Sequence, residues 1–142
     1  MDSPHLCKFF TGQDVLLPAV ARGRVQLRRY VPKLASHSPF QVFNFYLTSG
    51  ADSEAYVANG RLLQALLTVD NSVSTFVGGD MNFVERVDDS SSSSPHLPTA
   101  AFVSSWDAFK THFFLEEAPH DAHRITTSPV PPPLAIFAYL SP

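Results

Sequence analysis

The sequence predicts a layered fold of strands and helices, and three stretches carry that reading. Residues 40–47 are rich in aromatic and β-branched side chains, as a buried strand requires. Residues 53–69 place Leu62, Leu63, Leu66 and Leu67 in an apolar stripe at helical spacing. Phe76 and Val77 then form a short apolar run broken by Gly78 and Gly79. Strand, helix and strand in that order describe a sheet with a helix packed on it, and permit a parallel crossover. With 142 residues, 44% hydrophobic and 16% charged, the chain is long enough for one domain with a real core.

Taken in order, residues 1–21 hold apolar pieces without a sustained period and read as one short strand and loops. Residues 24–31 alternate, with Val25, Leu27, Arg29 and Val31 on one side and Arg24, Gln26, Arg28 and Tyr30 on the other. That pattern predicts a half-buried strand whose apolar side is interrupted by Arg29. Residues 32–39 are a turn region, and 40–47 suit a central strand buried on both faces. Asn44 and Tyr46 share the face opposite Phe43, Phe45 and Leu47, so two polar groups leave an apolar strand together and need a ligand or loop partners. Asp52 or Ser53 can cap the helix that follows, which runs to about Val69, with Asp70, Asn71 and Ser72 closing it. The next strand empties into a glycine turn that delivers Asp80 and Asn82 just past its end.

Residues 85–98 contain five consecutive serines, Ser90 to Ser94, and read as a mobile surface loop with little apolar area to bury. Phe102, Trp106, Phe109 and Phe113 recur at one-turn spacing, which predicts an amphipathic helix over 101–115, capped near Thr99, with Trp106 in the core. A proline-rich tail spans 128–142, and within it 134–140 is a last apolar, strand-like run.

The formal charge of -3 gives no global attraction to nucleic acid, yet Arg22, Arg24, Arg28, Arg29 and Lys33 are five of the ten basic residues and lie close together. Such a stripe can meet phosphates, with Arg28 as a substrate-binding candidate, or can be a solvated edge strand. No apolar run approaches the roughly 20 residues that span a bilayer, and the single Cys7 excludes an internal disulfide, so a soluble intracellular protein without a membrane partner is expected. His120 and His123 sit three apart but in a polar, proline-flanked stretch, and no zinc spacing or phosphate-cradling glycine loop occurs.

The chemistry is therefore sought at Asp80 and Asn82. A carboxylate at Asp80 can orient and deprotonate a water, and the Asn82 amide can donate a hydrogen bond to a phosphate oxygen as charge builds there. Gly-Gly-Asp-x-Asn is also ordinary turn composition.

Phe76-Val77-Gly78-Gly79-Asp80-Met81-Asn82-Phe83 resembles the Gly-Asp-Phe-Asn signature of the endonuclease/exonuclease/phosphatase superfamily, closest to the endonuclease domains of non-LTR retrotransposons. The stretch from Phe40 to Leu47 is similar to the strand in which that superfamily carries Asn-x-Tyr or Asn-x-His, and residues 40–89 hold the specific part of the likeness. The resemblance implies an α+β fold, part of a four-layer sandwich of two mixed β-sheets flanked by helices, and a magnesium-dependent phosphodiesterase acting on DNA or another phosphodiester. Carried over residue by residue, it makes Asp80 the general base, Asn82 the phosphate stabiliser and Tyr46 a phosphate contact, with Asn44 and Arg28 as substrate-binding candidates; Asp88 or Asp89 falls near a position where the superfamily often has an acid.

The chain departs from that pattern at both ends. No Asn precedes Asn44 and no Glu precedes Glu54, so the superfamily's metal-binding Glu has no counterpart; Ala135 stands where an acid is expected, and the closing Ser-Asp-His is absent. A lone Asp-Asn pair does not assemble the oxygen shell of a hard cation, so no metal ligand is assigned. Two expectations follow: the middle of a phosphodiesterase domain, truncated, or a non-catalytic remnant that binds nucleic acid weakly.

Overall fold

A computed structural model describes residues 3–48, 53–82, 97–116 and 137–139, the backbone alone at Ser53 and at 137–139. Its centre is one mixed sheet in the order β1-β2-β3-β4-β5. A short helix α1 (Leu6–Phe9) leads into β1 (Phe10–Asp14), and a 3-10 turn (Ala19–Ala21) precedes β2 (Val25–Pro32). β3 (Phe40–Tyr46), helix α2 (Ser53–Leu66) and β4 (Ser74–Asp80) follow, then helix α3 (Ala100–His112) and β5 (Phe137–Tyr139).

β1, β2 and β3 pair antiparallel, whereas β3, β4 and β5 pair parallel. α2 is therefore the crossover that the strand, helix, strand order permits. Strand alternation sorts the residues of the sheet onto two unlike faces. Val25, Leu27, Phe43, Phe45, Leu47 and Val77 are buried with Leu62, Leu63 and Leu66 of α2 and Phe102, Trp106 and Phe109 of α3 in one core. Aromatic edges lock the helical layer to the sheet: the Phe109 ring lies 5.6 Å from Phe43 and 5.5 Å from Phe45. Thr99 caps α3, its hydroxyl accepting from the Phe102 N–H at 3.3 Å.

Arg29, which interrupts the apolar side of β2, is accommodated by a polar lock at the other end of the sheet from Asp80. Its Nη2 lies 3.1 Å from both Gln41 Oε1 and Asp70 Oδ2. Gln41 is fully buried, and its Nε2 donates to the Asp70 carbonyl at 2.9 Å and the Thr75 hydroxyl at 3.0 Å. The Ser72 hydroxyl and N–H, with Arg29 adding, hold the Asp70 carboxyl below the usual carboxylate range.

The observed class is α+β with a mixed sheet, as expected; the described residues contain one sheet and one helical layer, where the resemblance implied part of a sandwich of two sheets flanked by helices. Several local expectations change. β3 is buried on its helix-facing side alone: Asn44 and Tyr46, on the other face, are exposed, since no layer of described residues covers them. The first 21 residues hold the expected strand and also α1. α2 ends at Leu66 rather than near Val69, where Thr68 turns its hydroxyl onto the Ala65 carbonyl at 2.9 Å. The serine tract, the acids Asp88 and Asp89, the pair His120 and His123, and the tail apart from 137–139 lie outside the described residues.

Candidate functional site

The parallel pairing of β3 with β4 sets the registry of the candidate residues. Asn44 stands opposite Gly78, and Tyr46 opposite Asp80. On the other side of β3, Gln26 stands opposite Asn44, and Arg24 lies one residue before β2, its carbonyl accepting from the Tyr46 N–H at 2.7 Å. Two rows thus cross the sheet on the face opposite the helices, near the carboxyl ends of β3 and β4. Arg24, Tyr46 and Asp80 form the outer row, and Gln26, Asn44 and Gly78 the inner one. Tyr46 is 60% exposed.

The motif after Val77 builds the end of β4 almost entirely by local geometry. Gly79 has φ +120°, and a Cβ there would strike the Phe45 carbonyl oxygen and lie 2.6 Å from its nitrogen, so only glycine lets β4 lie this close to β3. Asp80 then pairs back, its carbonyl accepting from the Leu47 N–H at 3.0 Å. Its carboxylate Oδ1 accepts from the Asn82 N–H at 3.1 Å, an Asx turn. Met81 turns into the core, and Asn82 takes the left-handed conformation, φ 50°, that its side-chain type tolerates. The Asn82 amide donates to the Leu47 carbonyl at 2.8 Å. One more bond pair steadies this end: buried Asn59 of α2 accepts from the Thr48 N–H and donates to the Thr48 carbonyl, both at 3.0 Å.

The structure thus brings Asp80, Tyr46 and Asn44 to one exposed face, whereas Asn82 follows them with its amide committed to the backbone. Arg28 lies farther along that face, in the row of Val42 and Phe76, where its Nη1 is 2.7 Å from Asp14 Oδ1. The basic stripe is not one surface. Arg29 belongs to the polar lock on the helix-facing side, the Arg22 Nε donates to the Leu17 carbonyl at 3.2 Å, and the Lys33 ammonium donates to the Cys7 carbonyl at 2.6 Å. Arg24 is exposed, and its guanidinium has no partner among the described residues. Strand alternation had already placed Arg24 on the side of Arg28; its position across from Tyr46 required the register.

The described residues do not fit the magnesium ion that the resemblance implies. No group of three or more His, Cys, Asp or Glu side chains that could hold a metal occurs among them, and Asp80 is the single carboxylate of the two rows. Among the described residues, a depression of about 300 Å³ is lined by Glu54, Val57, Ala58 and Arg61 of α2, with none from the end of β3 or β4. No described helix is long and apolar enough to cross a membrane.

Comparison with protein-family models, with curated proteins and with solved structures gives no match to this chain. The likeness of residues 40–89 to the endonuclease/exonuclease/phosphatase superfamily therefore rests on the motifs themselves.

Proposed function

We propose that the chain acts on a phosphodiester, as an endonuclease-like domain for DNA, through the outer row of the exposed sheet face. One observation carries the reading: a carboxylate, a phenol and a guanidinium, Asp80, Tyr46 and Arg24, stand across three neighbouring chain segments near the carboxyl ends of parallel strands. Ligands of open α/β sheets favour that end. Arg24 suits a phosphate oxygen as a bidentate cation, and the Tyr46 hydroxyl can donate to a second oxygen. Asp80, with Oδ1 taken up by the Asx turn, has Oδ2 with which to take a proton from water. In the hydrolysis, the water oxygen forms a bond to phosphorus as its proton passes to Asp80. The P–O bond to the leaving group breaks, and the leaving oxygen takes a proton from solvent. Asn82 keeps a second N–H on the nitrogen that holds the Leu47 carbonyl.

A second reading, a phosphodiester-binding module without turnover, is favoured by the commitment of the Asn82 amide and by the single carboxylate of the two rows. Nicking of supercoiled plasmid by the purified protein decides between them, with magnesium, with a chelator, and with Asp80→Ala. Nicking by the wild-type protein that disappears in Asp80→Ala supports the hydrolase. Equal nicking by both proteins removes Asp80 from the chemistry, and no nicking by a folded protein leaves the binding module.

A further inference from the structure

The two adjacent glycines of the motif differ in what the fold asks of them. Gly79 is required by its φ of +120° and by the Phe45 backbone beside it. Gly78 is not. It lies inside β4 with no left-handed φ, and a Cβ built on it meets nothing within 4 Å among the described residues. Glycine weakens a strand interior because it loses more backbone freedom on folding and offers no side chain to pack. A strand glycine often marks a bulge, a tight bend or a place where another group approaches the backbone closely, and the unbroken register of β4 with β3 at Gly78 favours the last.

Resting on the phosphodiester reading above, we propose that Gly78 is the floor of a substrate subsite, kept bare so that the sugar unit next to the reacting phosphate can lie against the sheet. The surroundings fit that ligand chemistry. Gly78 stands between Asn44 of β3 and Ala138 of β5, and Asn44 stands opposite Gln26, so two exposed carboxamides continue the row on one side of the floor. Each offers both donors and an acceptor, which matches the hydroxyl and ether oxygens of a sugar ring better than it matches an ion or an apolar tail. The next row outward, with Arg24, Tyr46 and Asp80, then meets the phosphate itself. Gly78 is a specificity-determining residue here, because its effect is exerted through the space it leaves.

The test is binding of a short fluorescein-labelled DNA oligonucleotide by anisotropy, with thermal unfolding measured in parallel, on the wild type, Gly78→Ala, Gly78→Val and Arg24→Ala. The expected result for Gly78→Val is a thermal midpoint equal to or above that of the wild type and binding weakened at least about tenfold. Gly78→Ala keeps the midpoint with a smaller loss, and shows the same trend should the larger side chain fail to fold. Binding by a folded Gly78→Val as tight as wild type overturns the subsite alone, with the phosphodiester reading retained if Arg24→Ala weakens binding. A fall in midpoint for both glycine variants also overturns it, since the chain's own residues then fill the space. No binding by the wild-type protein overturns the phosphodiester reading and the subsite with it.

Discussion

Replacing Gly79 with alanine tests whether the end of β4 is held as tightly as its geometry demands. Alanine at φ +120° is strained, at a cost of about 1–3 kcal/mol. The new methyl would overlap the Phe45 carbonyl oxygen and lie 2.6 Å from the Phe45 nitrogen, so β4 has to move away from β3 at this point. That movement releases the Leu47 N–H bond to the Asp80 carbonyl, 3.0 Å, and the Asn82 amide bond to the Leu47 carbonyl, 2.8 Å. Each such bond contributes about 1 kcal/mol net, and the total expected loss is about 3–5 kcal/mol. A domain of this size is stable by about 5–15 kcal/mol, so the variant loses from about a fifth to all of that stability. Equilibrium unfolding in urea measures it, followed by circular dichroism and by the fluorescence of Trp106, the chain's one tryptophan, buried in the helical layer. A loss below about 1 kcal/mol would refute the reasoning, because the strand end would then have room for a side chain.

Two further outcomes follow from the core and the polar lock. Phe109→Ala removes a fully buried ring that contacts Phe43, Phe45 and Trp106, and is expected to lower stability by about 3–5 kcal/mol in guanidinium unfolding; a change under about 1 kcal/mol would mean that α3 is not seated on the sheet. Asp70 is depressed in the folded state by Ser72 and Arg29, so its contribution is present above the ordinary carboxylate range and is lost as pH falls through the folded value. Below about pH 4 the thermal midpoint of wild type should therefore fall more steeply than that of Asp70→Asn, and parallel curves would show that the ion pair with Arg29 has no part in stability.

The elements that depend on local pattern were legible in the sequence, and those that depend on distant partners were not. The apolar stripe of α2, the Thr99 cap of α3 and the alternation of β2 each depend on residues within a few positions. Arg29 is the contrary case. Within β2 it reads as a flaw in an apolar face, and its meaning comes from Gln41 on the neighbouring strand and Asp70 beyond α2. The basic stripe failed as a single surface for a related reason: alternate residues of a strand face opposite ways, and close spacing along the chain divided Arg28 from Arg29. At the site, Asn44 and Tyr46 were placed together by the same rule, but Arg24 joined them only through the pairing of β2 with β3.

The motif's individual residues carry unequal weight as signs of function. Gly79, the Asp80 Oδ1, Met81 and the Asn82 amide all have duties in ending β4 and turning the chain, so their presence would be explained in a protein with no ligand at all. A turn this well satisfied can resemble a catalytic signature because both need glycine freedom followed by short polar side chains. The discriminating residues are those for which the fold supplies no reason. Tyr46 is a large ring 60% exposed on a central strand, Arg24 is a cation with no partner among the described residues, and Gly78 is bare where a β-branched residue would strengthen the strand. Tyr46 and Arg24 share a row with Asp80, and Gly78 lies in the next row on the same face. Substitution there should leave folding intact and change binding, whereas substitution in the turn should change both, and that difference separates a site from a strand end.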